Sequence, residues 1–441
     1  MNTGTNREFP DSPAEQPAGT APRAAGPESE RDAAVDAART ALLSSPAPET
    51  DRGIAVRLGG LARLAALVFA EQLRSARDLV HERISARRAR GLGQKAARRG
   101  IAREVGLALH ISHHHAKKLV HAAEVISADM PHTLARVTAG DLSQAAVHAL
   151  VATLDHLDSA ERRIADQRLC ADPATLAGLG LRRLADKAEA VAYELDAEKT
   201  LERAGKAAAD RHVSIRPCPD TMARVSILLP VAQAVGIYAA LTRAADGVAG
   251  HGTEPRGRGQ VMADEAYARI TGRAGTSGPS VAVNLTVSDA VLLGGANGTA
   301  HLEDGGVLPG EIARRLVAEA TADELAWVRR LYVTPATGAV VGMDAKSRTF
   351  PAGLARLIRA RDRYCRTPYC DAPIADIDHV QPWAEGGPTT AENGQGLCKA
   401  CNLAKQAHGW HDRTVVDPSG RHTVETRTPA GTVHRSTAAA A

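Results

Sequence analysis

Apolar side chains recur at three- and four-residue spacing over a long stretch of the chain, from about residue 54 to residue 270. Leu61, Leu64 and Val68 share one face at this spacing, and the apolar residues of the segment 101–109 repeat every four positions. This is the period of an amphipathic helix. The pattern therefore predicts a mainly α-helical region.

Two of these helices are predicted to meet at a short turn near Ser112. Serine is favoured at a helix N-cap, where its hydroxyl accepts a hydrogen bond from a backbone N–H. Helix, turn and helix over residues 101–126 form the outline of a DNA-binding helix-turn-helix. Because many all-α domains contain the same outline, a packed helical hairpin is the favoured interpretation.

Strand patterns appear later in the chain. Residues 211–243 predict two short strands around a Pro-Asp turn, followed by a helix, and the alternating segment SVAVNLTV predicts another strand. LYVTPATGAVVGM is a candidate hairpin, and AGLARLIRARDRYC predicts a basic helix before a cysteine-rich segment. The pattern as a whole indicates an α+β chain in which helices dominate.

Composition agrees with helical packing, since aromatic residues make up only 3% of a chain that is 44% hydrophobic. The net charge of +4 is too small to identify a partner. The segment LGGLARLAALVFAEQL is short and interrupted by Arg63 and Glu71, so it predicts a buried amphipathic helix and no membrane partner. Residues 1–50 and 413–441 have the composition of disordered tails.

Four of the six cysteines lie in two close pairs, Cys365 with Cys370 and Cys398 with Cys401. Each pair can present two thiolates from one turn, and two such pairs form the tetrahedral sulfur set of a structural Zn2+ site. The alternatives are a disulfide or two unrelated pairs. Sparse, clustered cysteines are typical of a reducing compartment, so we expect a cytoplasmic protein.

The residues between and after the cysteine pairs resemble the signature of the HNH endonuclease family. The matching positions are Asp378-His379, Gly386-Gly387, Asn393 and Asn402. The resemblance covers roughly fifty residues. It implies a ββα-metal fold, a hairpin packed on a helix with a metal between them, and metal-dependent cleavage of DNA.

The resemblance also implies a role for each matching residue. His379 is expected to be the general base, because a neutral imidazole accepts a proton from water near neutral pH. Asp378 and Asn402 are expected to bind a catalytic Mg2+ or Mn2+ through oxygen atoms. Asn393 is expected to orient His379. The alternatives to Asn402 as metal ligand are a water molecule, Gln406, His408 and His411, the residues lying within about three turns of Asn402 if the helix continues.

Basic residues surround this segment, and guanidinium groups suit phosphate geometry. The predicted nucleic-acid contacts are Arg356, Arg359, Arg363, Arg366, Lys399 and Lys405. A solvated helix face is the alternative. A second basic run at 86–103 fits either a backbone-tracking surface or a solvated linker. The expected partner is double-stranded DNA.

Upstream, most of residues 54–364 resembles the helical domain of uncharacterised function, called DUF222 or the 13E12 repeat, that precedes HNH modules in many actinobacterial proteins. The predicted organisation is a tail (1–50), a helical domain (51–270), its strand-containing continuation (271–350), a zinc-stapled HNH module (351–412) and a second tail (413–441). The predicted activity is endonuclease. A non-catalytic, zinc-containing DNA-binding or regulatory protein that uses the helix pair near 101–126 is the alternative.

Overall fold

The structure of the protein is a computed structural model, which describes residues 27–249, 255–272, 285–302, 306–322 and 349–438. Within it the chain forms two compact units, residues 1–62 and residues 63–441. The predicted hairpin LYVTPATGAVVGM lies outside the described residues, as does most of the predicted strand SVAVNLTV.

Helices dominate the described part of the chain. They are α1 (Pro27–Ser44), α2 (Asp51–Ala89), α3 (Gln94–Arg98), α4 (Ile101–Leu109), α5 (His113–Asp129), α6 (Pro131–Ala139), α7 (Gln144–Leu154), α8 (Ser159–Cys170), α9 (Leu181–Leu195), α10 (Ala197–Ala209), α11 (Val231–Ala249), α12 (Arg258–Thr271), α13 (Asp289–Leu292), α14 (Gly310–Ala322), α15 (Ala352–Asp362) and α16 (Lys399–Lys405).

The strands form small antiparallel sheets. They are β1 (His212–Pro217), β2 (Ala223–Leu228), β3 (Leu285–Thr286), β4 (Thr299–Leu302), β5 (Gly306–Pro309), β6 (Asp376–His379), β7 (Gly394–Leu397), β8 (His411–Val415), β9 (Thr423–Arg427) and β10 (Val433–Thr437). Strand β1 pairs with β2, β6 pairs with β7, and the orders β3-β4-β5 and β8-β9-β10 complete the set. The predicted α+β class is confirmed.

The first unit contains α1 and the beginning of α2. Residues 27–44 belong to the segment whose composition predicts disorder, yet they form α1, and its described side chains are all exposed. Alanine-rich sequence has a high intrinsic preference for helix. Composition that lacks large apolar groups therefore excludes a packed core here without excluding a helix.

Helix α2 contributes one side of its second half to the main apolar core. Phe69, Leu73 and Val80 are buried, whereas Leu61 and Val68 are exposed. The three- and four-residue spacing correctly predicts a helix but selects the wrong face. By length and composition α2 is also the one helix of the described residues that could cross a membrane. Its buried stripe is the feature expected of a core helix in a globular domain.

The core of the helical domain lies between α2, α5, α7, α8 and α9. Leu119, Ile126, Leu150 and Leu169 are among its fully buried members. Ser112 is the N-cap of α5 and accepts a hydrogen bond from the His115 N–H, as predicted. The helices α4 and α5 therefore form the predicted pair, joined by a three-residue turn.

The C-terminal residues form a folded sheet, which corrects the prediction of a tail at 413–441. Strand β9 lies in the centre of β8-β9-β10, and Val424 and Thr426 are buried. The sheet is attached to the cysteine-rich module because the Arg366 guanidinium donates to the carbonyls of His422, at 3.0 Å, and Ser436. Each of its strands contains one valine among polar and charged residues, so the sequence carries little of the apolar signal on which a strand prediction rests.

Acidification should weaken this sheet through His422. Burial lowers the pKa of His422 to about 4, and its Nε2 lies 2.8 Å from the Glu392 carbonyl. Because the unfolded chain binds this proton near pH 6.5, stability should decline as pH falls from about 6.5 towards 4. The expected loss is up to about 2 kcal/mol at pH 5. His422→Gln should lack this part of the decline when urea unfolding is followed at pH 7 and pH 5; parallel pH profiles would contradict the assignment.

Candidate functional site

The four clustered cysteines converge on one point. Their Sγ atoms all lie within 4.8 Å of one another, and Cys370 Sγ is 3.8 Å from Cys398 Sγ and 3.6 Å from Cys401 Sγ. A tetrahedron with Zn–S bonds of 2.3 Å has edges of about 3.8 Å. The cluster is therefore a metal-binding site of the structural zinc type.

Local structure explains how two short sequences bring these sulfurs together. Cys398 caps the N-terminus of α16, where its sulfur accepts from the Cys401 N–H, and Cys401 lies in the first turn. Donation from neighbouring thiols lowers the pKa of Cys398 below its usual range. The other pair lies in a tight turn in which Tyr369 has a positive φ angle. Thiolate character is what a zinc ligand requires.

The β6-β7 hairpin and α16 carry the other candidate residues. Asp376 and Asp378 are two positions apart on β6, so they share one face of the strand. Asn402 and Lys405 are three positions apart on α16, so they share one face of the helix. These two faces contact each other. The structure thus brings a pair of carboxylates opposite an amide and an ammonium group.

Hydrogen bonds define the contact between the two faces. Asn402 Nδ2 donates to Asp376 Oδ2 at 2.9 Å, and Lys405 Nζ donates to Asp378 Oδ2 at 2.8 Å. Lys405 also donates to the His379 carbonyl. Lys399, at the start of the helix, lies 3.5 Å from Asp376. The helix is therefore fastened to the strand that carries Asp378 and His379.

The amide of Asn402 is held in one orientation. Because its nitrogen donates to Asp376, its oxygen faces away from that carboxylate. Asn402 Oδ1 is buried and has no hydrogen-bond partner among the described residues. A buried polar atom without a partner is costly unless something else satisfies it. An amide oxygen is a donor type that a hard divalent cation accepts.

His379 is buried at the end of β6. Its Nε2 lies 2.8 Å from Thr389 Oγ1, and its ring packs against Phe350 with 4.5 Å between ring centroids. Thr389 follows the Gly-Gly-Pro turn, so this loop reaches back to the histidine. The contacts give the imidazole a fixed environment with a polar group at one nitrogen.

Asn393 fixes the loop that follows His379. Its Oδ1 accepts from the Gln381 N–H at 2.9 Å, and its Nδ2 donates to the carbonyls of Gln381 and Pro388 at 3.1 and 2.8 Å. Its own carbonyl accepts from the Val380 N–H at 2.7 Å. Asn393 thus holds the backbone immediately after His379, and its side-chain amide bonds to backbone groups.

Gly387 is required for the same loop to close. A Cβ at this position would lie 2.0 Å from the Gln381 carbonyl oxygen and 2.8 Å from Asn393 Nδ2. No side chain fits there. The second glycine of the Gly-Gly signature is therefore explained by the close approach of the two loop segments.

The predicted nucleic-acid contacts divide into two groups. Arg356 and Lys399 are exposed, whereas Arg366 is only 4% exposed and donates to backbone carbonyls of the C-terminal sheet. Arg359 donates to the carbonyls of Ile374 and Ala375, and Arg363 lies 3.2 Å from His301 Nδ1. Of these four arginines and one lysine, only the exposed Arg356 and Lys399 present their side chains to a phosphate in solvent.

The alternative ligands to Asn402 do not lie on a continuing helix. Helix α16 ends at Lys405, and Gln406 is its C-cap. His408 has Nε2 2.9 Å from an Arg90 nitrogen, and His411 begins β8. The premise of a longer helix is therefore wrong.

The structure also brings forward residues that sequence reasoning missed. Asp376 holds Asn402, Thr389 contacts His379, and Lys405, predicted only as a nucleic-acid contact, binds Asp378. The alternation of Asp376 and Asp378 along one strand was a signal for the first of these. Thr389 carried no such signal, because its contact depends on how the loop folds.

An Asp-His strand, a second strand and a short helix tied down by four cysteines define an HNH-type module. The HNH endonuclease family matches residues 363–408, and the DUF222 family, described as a domain of unknown function, matches residues 61–362. This chain therefore belongs to the DUF222 family and carries an HNH endonuclease domain after it. An HNH domain supports a nuclease-type function and a nucleic-acid partner.

Three curated relatives from Mycobacterium tuberculosis share a short segment with this chain. They are Uncharacterized protein MT2160 (strain CDC 1551 / Oshkosh) and Uncharacterized proteins Rv2100 and Rv3776 (strain ATCC 25618 / H37Rv), each 42% identical over 69 residues. The segment is 15% of this chain and 12 to 13% of the relatives. The chain thus covers about an eighth of the length of the curated relatives it matches. No solved structure matches the chain.

Zinc content should separate the two candidate metal sites. Cys398→Ser should lose bound zinc and unfold the module, because a small module with little apolar core depends on its metal. Asp378→Ala should keep zinc, since its carboxylate is not part of the sulfur cluster. Elemental analysis of the purified proteins measures the zinc content. Equal zinc in wild type and Cys398→Ser would show that the four-cysteine cluster does not hold a structural zinc ion.

Proposed function

We propose that this protein is a metal-dependent endonuclease that hydrolyses phosphodiester bonds in DNA. The single observation that carries the proposal is Asn402 Oδ1, which is buried, has no hydrogen-bond partner among the described residues, and belongs to the helix whose Lys405 binds Asp378. The module combines this oxygen donor on α16 with a carboxylate and an imidazole at adjacent positions of β6, Asp378 and His379. These are the groups that metal-assisted hydrolysis requires.

Asp378 and Asn402 are the residues that would hold the catalytic ion, with Mg2+ or Mn2+ favoured by their oxygen ligands. When bound, such an ion polarises a phosphate and stabilises negative charge on the leaving oxygen. Asp376 acts before any ion arrives, because it accepts from the amide nitrogen and leaves the amide oxygen available. This fixes a ligand atom that would otherwise rotate.

His379 is the proposed general base. A neutral imidazole takes a proton from the attacking water, and Thr389 at Nε2 holds the ring while it does so. Asn393 keeps the following backbone in place through Gln381 and Pro388. His379, the proposed base, therefore lies at a strand end where hydrogen bonds hold both its ring and the backbone that follows it.

Lys405 links the proposed base to the proposed metal ligand. Its ammonium group donates both to Asp378 and to the His379 carbonyl, so one cation fastens the two residues to α16. Arg356 and Lys399 are exposed near the site, and their positive charges favour an approaching phosphate. We propose double-stranded DNA as the substrate and the cytoplasm as the location.

A non-catalytic DNA-binding role is the second candidate, and one observation favours it. The exposed side of α5 carries His114, Lys117 and Lys118, so the predicted helix pair presents basic groups to solvent. Binding that weakens steeply with salt, without cleavage in Mg2+ or Mn2+, would favour this role over the nuclease.

Removing the proposed base should abolish nicking. His379→Ala should lower the rate of plasmid cleavage by a factor on the order of 10² to 10⁴, the usual contribution of a general base. The measurement is conversion of supercoiled plasmid in Mg2+ or Mn2+, with zinc content confirming that the module is folded. If wild type and His379→Ala nick the plasmid equally, the assignment fails.

Removing Asp376 should weaken metal binding through Asn402. Asp376→Ala frees the amide to rotate, so the Mn2+ concentration for half-saturation should rise about tenfold, as for other partners of metal ligands. Glu385→Ala, which removes an exposed carboxylate from the same module, is the matched control and should bind Mn2+ as wild type does. Titration followed by electron paramagnetic resonance measures both. Unchanged affinity in Asp376→Ala would show that its hydrogen bond does not orient the ligand.

A further inference from the structure

The side of α16 turned away from β6 is covered by the helical domain. Gly100, the N-cap of α4, approaches so closely that a Cβ there would lie 2.7 Å from Trp410 Nε1, 3.0 Å from Ala407 Cβ and 3.1 Å from the Ala404 carbonyl oxygen. Leu107 of α4 is buried in one cluster with Ala407 and Trp410. The start of α4 thus packs directly on the end of α16 and the turn that follows it.

A buried charge pair connects α4 to the strand after this turn. Arg103 and Asp412 are 2% and 1% exposed at their side chains, and the guanidinium lies 3.8 Å from the carboxylate and 4.3 Å from the centre of the Trp410 ring. Buried charges require a partner, and an arginine over an indole face gains a further cation–π attraction. Arg103 is therefore fixed by two residues of the HNH side.

Two other residues of the helical domain, Arg87 and Glu104, bind backbone groups of the C-terminal part of the chain. Arg87 donates to the carbonyls of Ala97 and Arg99 at 2.8 and 2.7 Å, and to that of His408 at 3.4 Å. Glu104 accepts from the Ala430 N–H at 3.1 Å. The basic run at 86–103 is therefore folded, and its Arg87 and Arg103 are buried. This excludes the interpretation of the run as a solvated linker.

Helix α16 has only seven residues, and helices of this length are not stable alone. Its N-terminus is held by Cys398 and Cys401. Its end, which carries Lys405, is held on one side by Asp378 and on the other by Gly100. The zinc cluster alone leaves the last turn without support on that second side.

We propose that α4 is a positioning element of the nuclease site: Gly100 and Arg103 press and hold the end of α16 so that Asn402 and Lys405 meet Asp376 and Asp378. This inference rests on the proposed function. It assigns a task to the helical domain, which supplies one wall for the helix that carries the metal ligand. The helical domain and the HNH module then form one catalytic unit.

The experiment compares two glycines with nearly the same positive φ angle. Gly100 and Gly91 have φ angles of 81° and 82°, which alanine disfavours at both positions, but a Cβ at Gly91 meets nothing within 4 Å. Any larger effect of Gly100→Ala then comes from the steric clash of the new Cβ with the end of α16 and the turn after it. The readouts are zinc content, Mn2+ half-saturation by electron paramagnetic resonance, and kcat and KM for plasmid nicking.

Gly100→Ala should keep its zinc and its KM for plasmid, lower kcat by a factor on the order of 10 to 10², and raise the Mn2+ half-saturation about tenfold. Gly91→Ala should stay within about twofold of wild type in every readout, because only the shared backbone strain remains. Equal behaviour of the two variants in Mn2+ binding and kcat would overturn the proposal.

A second pair of variants decides the matter if Gly100→Ala loses its fold. Arg103→Met leaves Asp412 buried without its cation, and Asp412→Asn in the same chain removes that charge while keeping an acceptor for Gln395. The double variant should recover at least tenfold of the kcat lost in Arg103→Met, and no recovery contradicts the coupling.

The failure of the two proposals can be told apart. A wild-type chain that binds Mn2+ without cutting DNA contradicts the endonuclease function alone, and the Mn2+ comparison of Gly100→Ala with Gly91→Ala still decides the role of α4. A wild-type chain that binds no Mn2+ contradicts both.

Discussion

The site depends on the placement of one very short helix. Seven residues form too few hydrogen bonds to hold a helix in water, so α16 takes its position from its surroundings. Four sulfurs fix its start, the carboxylates of β6 fix one face, and α4 covers the other. Asn402, whose buried Oδ1 has no hydrogen-bond partner among the described residues, is thus positioned by packing on three sides of its helix.

The proposed function assigns two duties to two kinds of metal ligand in one module. Thiolates are soft and close a complete tetrahedral set, which suits a structural zinc ion. Carboxylate and amide oxygens are hard ligands, which suit the Mg2+ or Mn2+ ion proposed at Asp378 and Asn402. The separation of roles follows from ligand chemistry more than from distance.

Much of the module could be predicted from sequence because its signals are local. The cysteine spacing predicted the sulfur cluster, and Asp378 with His379 predicted the end of a strand, which β6 confirms. The roles of His379 and of the ion ligands stay predictions. The contacts of Asp376 and Thr389 could not be derived, because each joins segments that only the fold brings together.

The helical domain was predicted less completely, for a related reason. Spacing identifies a helix but not which side meets a partner, and so Leu61 and Val68 lie outside the core. Arg103 reads as one more cation in a basic run, yet its partner Asp412 lies more than three hundred positions away in sequence. The C-terminal sheet was missed because its strands are polar.

Anomalous diffraction from crystals grown with Mn2+ tests the central claim most directly, since manganese and zinc have separate absorption edges. The account predicts zinc at the four sulfurs and manganese at about 2.1 Å from an Asp378 carboxylate oxygen and from Asn402 Oδ1. Manganese bound elsewhere, or an Asn402 oxygen turned away from the ion, would contradict it.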